Sequence, residues 1–115
     1  MSGLSSLYKK TLSLSGVDTN GRSIEDLKAL VRETLSNKIH GISFSPYVEG
    51  QGPGTIISPE QIRERLSPIQ SSVNWIRSFS CTEGNEHTPV IAKELGLKTM
   101  VGVWLEDNVE NNEIE

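Results

Sequence analysis

The chain has 115 residues, of which 35% are hydrophobic and 23% charged, with a formal net charge of -4. That balance belongs to an ordinary globular protein and excludes disordered, fibrous and collagen-like classes. Lys9-Lys10 is the only adjacent basic pair, which argues against a nucleic-acid partner, because phosphate binding relies on clustered Lys and Arg. Cys81 is the single cysteine, so neither an intrachain disulfide nor a Cys-rich metal centre can form. No run approaches the roughly 20 apolar residues of a membrane helix, and no secretory pattern opens the chain. The sequence leaves the compartment open.

In chain order, residues 1–22 are rich in Ser and Gly without a sustained period and are expected to form a flexible leader. Ser23 is placed to cap a helix carrying Ile24, Leu27, Leu30, Val31 and Leu35 at helical spacing. Residues 39–46 follow as a strand, and Ser58-Pro59-Glu60-Gln61 then starts a helix, with Ser as cap, Pro at the first position and Gln61 reaching back to close a capping box. A second strand is expected over residues 74–80. Thr88, as the cap, and Pro89 open another helix, which Gly96 ends in a left-handed cap, and a third strand covers residues 98–105. A further helix opens at Asn108.

This regular alternation predicts a parallel sheet, which must be covered on both faces. Three strands cannot cover themselves. Residues 23–115 are therefore expected to be the opening part of a larger α/β structure, the first three βα units of a truncated (β/α)8 TIM barrel.

In such barrels the active face lies at the carboxyl ends of the strands. Those ends supply Ser45, Tyr47 and Glu49, then Phe79, Cys81, Thr82 and Glu83, then Trp104, Glu106 and Asp107. Aromatic rings beside neutral and acidic polar groups suit sugars, whose C–H faces stack on rings while hydroxyls bond carboxylates; an ordinary solvated loop rim would have a similar composition. Arg77 stands mid-strand between Trp75 and Phe79 and calls for a carboxylate, either as a structural ion pair or as the support of a catalytic group from a later strand. Gly50-Gln51-Gly52-Pro53-Gly54 has the look of a phosphate cradle, but Pro53 removes an N–H and Thr55-Ile56-Ile57 separates the glycines from the helix, so a flexible substrate-side loop fits better. Gly84-Asn85-Glu86 leads into a helix and Glu86 is assigned to the loop. Cys81, His87 and Glu83 lack metal-ligand spacing, no metal or other cofactor is implied, and His40 stands at the opposite, stability end.

Residues 38–113 resemble the first part of glycoside hydrolase family 17, the β-1,3-glucanase-like barrels. The resemblance is carried by Gly41-Ile42-Ser43-Phe44-Ser45-Pro46-Tyr47 with Gly50-Gln51-Gly52, by Trp75-Ile76-Arg77-Ser78-Phe79-Ser80-Cys81-Thr82, by Ala92-Lys93-Glu94-Leu95-Gly96-Leu97-Lys98, and by Val101-Gly102-Val103-Trp104-Leu105. It implies a barrel acting on β-1,3-linked glucan with retention of configuration, its two catalytic Glu residues supplied after strands four and seven and so outside this chain. By the same resemblance Arg77 supports the nucleophile; with the residues of the strand ends, Tyr47, Glu49, Arg77, Phe79, Trp104 and Glu106 are expected to form part of the substrate-binding wall. Phe44 and Phe79 stand where plant members carry Tyr. The partners implied are a β-glucan or oligosaccharide and the remainder of the barrel. The alternative is a small, non-catalytic α/β binding or interaction module whose acidic tail, residues 106–115, is a solvated end.

Overall fold

The computed structural model describes residues 17–115; the part of the expected leader before Val17 lies outside them. The described residues divide into two compact units, with the boundary between Asn37 and Lys38. In the first unit, helix α1 (Ile24–Ser36) starts at Ser23, whose side chain accepts the Asp26 N–H at 3.1 Å. Asp26 does not reach back to the Ser23 backbone; its carboxylate instead accepts the Ser23 hydroxyl at 2.8 Å. Glu25 and Asp26 occupy the first turn, where the helix dipole favours negative charge. None of the helix residues is buried.

The second unit runs β1 (Ile39–Ser43), α2 (Pro59–Leu66), a 3-10 turn Ser67–Ile69 that contains Pro68, β2 (Val73–Arg77), a 3-10 turn Asn85–His87, α3 (Thr88–Glu94), β3 (Lys98–Met100) and α4 (Val109–Ile114). The three strands are parallel and lie side by side in the order β1-β2-β3. Ile42 pairs with Ile76 and Ile76 with Thr99. On this side α2 and α3 pack together and bury Ile62, Leu66, Ile91 and Ala92 against Phe44 and Ile76. Each fully buried Ile or Leu contributes about 1.5–3 kcal/mol. An Arg63–Glu94 ion pair joins the two helices at the surface, where such pairs add about 0–1 kcal/mol.

The other face is bare. There Ser43 pairs with Arg77 and Arg77 with Met100, all three exposed. Trp75 lies half-buried beside them, with the Lys98 ammonium 5.4 Å from its ring centre and the His40 ring at 6.3 Å.

All three strands are shorter than the sequence pattern suggests. Beyond Arg77 the ladder continues through Phe44 N–H to Arg77 O at 2.9 Å and Ser78 N–H to Met100 O at 3.0 Å. The next N–H, of Gly102, goes to the Ser78 hydroxyl at 3.2 Å and not to a backbone carbonyl, which ends the third strand. Gly102 is required there, because a Cβ would come within 2.2 Å of Ser78 O.

Helix α2 begins as its sequence indicates, with the Ser58 side chain accepting the Gln61 N–H at 3.1 Å and Pro59 at the first position. Gln61 does not close a capping box. Its amide faces the loop after β1, where it donates to Pro46 O at 2.9 Å and to Gln51 Oε1 at 2.6 Å, two partners that the Ser58 N–H could not replace. Thr88 does not cap α3 either: it already has helical angles, φ -56 and ψ -47, whereas a cap needs an extended conformation, and its buried hydroxyl has no partner. Gly96 ends α3 at φ +78, with Gly96 N–H bonded to Lys93 O at 3.0 Å and Leu97 N–H to Ala92 O at 2.8 Å. These two bonds make a complete Schellman motif, and Leu97 goes into the core.

The loops after β1 and β2 meet at one backbone contact. Ile57 N–H donates to Glu83 O at 2.8 Å, and a Cβ on Gly84 would lie 1.9 Å from Ile57 O. Gly54 also has positive φ but nothing within 4 Å. Gly84→Ala is therefore expected to cost about 3 kcal/mol or more, and Gly54→Ala only about 1–2 kcal/mol of left-handed strain. Denaturant midpoints of the two variants measure the difference; equal losses would show that the Ile57 contact relaxes freely.

Candidate functional site

A cleft of about 620 Å³ opens at the carboxyl ends of the three strands. The segment after β1 contributes Ser45 and Tyr47, the segment after β2 contributes Phe79, Thr82 and Glu83, and the segment after β3 contributes Trp104 and Glu106. Asn111, Ile114 and Glu115 close one side from the end of α4. No Lys, Arg or His of the described residues lines it.

Of the residues singled out in the sequence, Tyr47, Phe79, Trp104 and Glu106 converge on this cleft. Glu49 does not; it is exposed in a turn closed by Gln51 N–H to Val48 O at 3.0 Å. Arg77 lies on the bare sheet face and touches the cleft only through Phe79, its guanidinium carbon 5.0 Å from that ring's centre. Among the described residues Arg77 makes no ion pair. Asp107 is exposed outside the lining, and Glu86 is exposed in the 3-10 turn beside His87, 3.9 Å away. No group of three His, Cys, Asp or Glu among the described residues is placed to hold a metal, and none of the described helices is long and apolar enough to cross a membrane.

The glycine-rich loop is drawn into two turns. Gly52 N–H donates to Thr55 Oγ1 at 3.3 Å and Thr55 N–H to Gly52 O at 3.0 Å. Gly54 N–H donates to the Glu83 carboxylate at 2.9 Å, so Glu83 serves the loop as well as the cleft. Glu106 is similarly committed, accepting from the Asn111 side chain while its backbone exchanges hydrogen bonds with the Asn112 amide at 2.8 and 2.7 Å.

Glu115, which the sequence pattern does not single out, is the most densely bonded side chain of the site. Its carboxylate accepts from Ser80 Oγ at 2.5 Å, Thr82 Oγ1 at 2.8 Å, Cys81 N–H at 2.8 Å and Trp104 N–H at 3.4 Å. Burial pushes this carboxyl up, but the four hydrogen bonds outweigh burial and hold it below the usual carboxylate range. The neighbouring Cys81 thiol is pushed up, first by burial and then by the negative charges of Glu115 and Glu86; its Sγ contacts Gly102 O at 3.4 Å.

No family model, curated protein or solved structure matches this chain. What the site can do is thus a matter of its own geometry. It offers four aromatic rings, of Phe44, Tyr47, Phe79 and Trp104, and several carboxylates around a cleft wide enough for a small molecule.

The raised Cys81 thiol carries less thiolate at mildly alkaline pH than a free cysteine, so its alkylation should be slower and its pH profile shifted upward. Removing one of the responsible charges, in Glu115→Gln, should shift that profile back down. Iodoacetamide labelling followed by mass spectrometry across pH tests this, and a profile unmoved by the substitution would separate Cys81 from Glu115 electrostatically.

Proposed function

We propose that the second unit is the opening part of a β-1,3-glucanase-like barrel and that its cleft is a section of the wall that binds β-glucan. The observation that carries this is the convergence of the Tyr47, Phe79 and Trp104 rings, with Glu83 and Glu106 among them, at the carboxyl ends of three parallel strands. Sugar rings stack their C–H faces on such side chains at little conformational cost, and carboxylates accept the hydroxyls. Support for the barrel comes from the bare face: it carries Ser43, Trp75 and Arg77 where a barrel would enclose its interior. Arg77 lacks a carboxylate among the described residues, and in the family resemblance a nucleophile from a later strand would supply it.

A retaining glycosidase needs two carboxyls about 5–5.5 Å apart across the scissile bond. The resemblance places both outside this chain. The 115-residue protein is accordingly expected to bind β-1,3-linked gluco-oligosaccharides without cleaving them. One feature favours the rival, a self-contained binding module: α4 folds back onto the cleft and Glu115 is fully bonded there. Such a module would bind its ligand without any added strands and would show no gain in affinity when the chain is extended.

Trp104 is 60% exposed and lines the cleft, so it is a platform and not a core residue. Trp104→Ala should weaken binding of laminaripentaose by about tenfold, the scale of one aromatic contact, and shift the melting temperature by no more than about 2 °C. Calorimetric titration and thermal unfolding of the same variant read both. A drop of many degrees with unchanged affinity would end the stacking assignment, and failure of the parent protein to bind any β-glucan would end the sugar assignment.

A further inference from the structure

Helix α4 has only six residues and none of them is buried; Val109 and Ile114 are 68% and 71% exposed. A helix that short does not persist by itself in water. Apolar burial does not hold it, so its place against the cleft depends on polar contacts: the Asn111 and Asn112 bonds to Glu106 and the four bonds to Glu115.

A carboxylate offers about four acceptor positions. Glu115 has all of them filled by the protein, Oε1 by the Ser80 and Thr82 hydroxyls and Oε2 by the Cys81 and Trp104 N–H groups. It has nothing left with which to receive a ligand. Its bonds instead join two of the segments that carry rings of the cleft: Ser80 directly follows Phe79, and the Trp104 N–H is the backbone amide of the residue that bears another ring. The strand ladder has ended by Gly102; among the described residues the one direct hydrogen bond from residues 79–82 to the segment after β3 is the weak Cys81 Sγ–Gly102 O contact at 3.4 Å, and none reaches residues 103–107. Glu115 bridges that gap.

We propose that Glu115 is a positioning residue of the cleft, pinning Phe79 and Trp104 at the separation at which both rings meet one bound sugar. The sugar as occupant rests on the function proposed above; the pinning of Trp104 does not. The pin is weakened by acid. With its carboxyl held below the usual range, the contribution of Glu115 is present above the ordinary carboxylate pKa and is lost as pH falls through the lowered one. The other titratable groups near it are the Cys81 thiol with Glu86 behind it, Glu83 and Glu106 in the cleft lining, and Glu110 and Glu113 on α4 itself. No cation of the described residues lines the cleft to compensate.

The test uses the whole chain with Trp75→Phe, a change on the bare face that leaves Trp104 as the only tryptophan. Trp104 emission and laminaripentaose affinity are followed from neutral pH down through the carboxylate range, with and without Glu115→Gln. The parent should show an acid transition in emission below the ordinary carboxylate range and a parallel loss of affinity. Glu115→Gln should abolish that transition and bind about tenfold more weakly at neutral pH, while Glu115→Asp, charged but one methylene shorter, should recover part of the affinity. Parent-like affinity in Glu115→Gln, or an acid transition that survives in it, overturns the proposal, as does a lower melting temperature with affinity unchanged. If no protein binds the oligosaccharide, the sugar assignment fails, and the emission transition alone still decides whether Glu115 places Trp104.

Discussion

Parallel strands added to a sheet in a single direction carry their crossover helices along the same side, because the connection between them has a fixed hand. β1, β2 and β3 follow one another in that way, and α2 and α3 share one side, packed on each other. A doubly wound sheet would reverse direction partway and clothe both faces. Here the apolar core forms between helices and sheet, while the opposite face keeps Arg77, Lys98 and Met100 in solvent. Every later feature of the unit, including the place of the cleft, follows from that one-sided arrangement.

The same arrangement gathers the segments that follow the strands at one end. The connections from strand to helix all lie there, and each must leave the sheet at its carboxyl edge. The Ile57 and Gly84 backbones then lock the first two segments together, and the Ser78 hydroxyl turns the third away after Met100. Rings that are more than fifty residues apart in sequence, Tyr47 and Trp104, come to line a common space.

Much of this could be read from the sequence because it is written locally. Ser58-Pro59 and Gly96 mark helix ends by conformational requirements that few other residues meet, and the aromatic residues of the cleft follow from knowing where strands end. Gln61 and Thr88 were misleading for a corresponding reason. Both residue types suit a helix start, but what their side chains do is decided by neighbours from elsewhere in the chain: Gln51 for the first, and for the second the 3-10 turn that brings Thr88 into the helix already in helical geometry. Glu115 was illegible. Its partners lie 11 to 35 residues away, and nothing in an acidic stretch distinguishes the one carboxylate that will accept four hydrogen bonds from its neighbours. The extent of the third strand was equally hidden, since it depends on a side-chain hydroxyl intercepting a backbone N–H.

Glu115 is satisfied by hydroxyl and amide dipoles and not by a counter-ion. Dipoles orient toward a charge without cancelling it, so the cleft retains that negative charge beside those of Glu83 and Glu106. With no basic side chain of the described residues in the lining, an approaching carboxylate, phosphate or sulfate group meets repulsion at short range. An uncharged polyol meets none. The charges of the lining thus disfavour anionic molecules relative to neutral or cationic ones of the same size and shape.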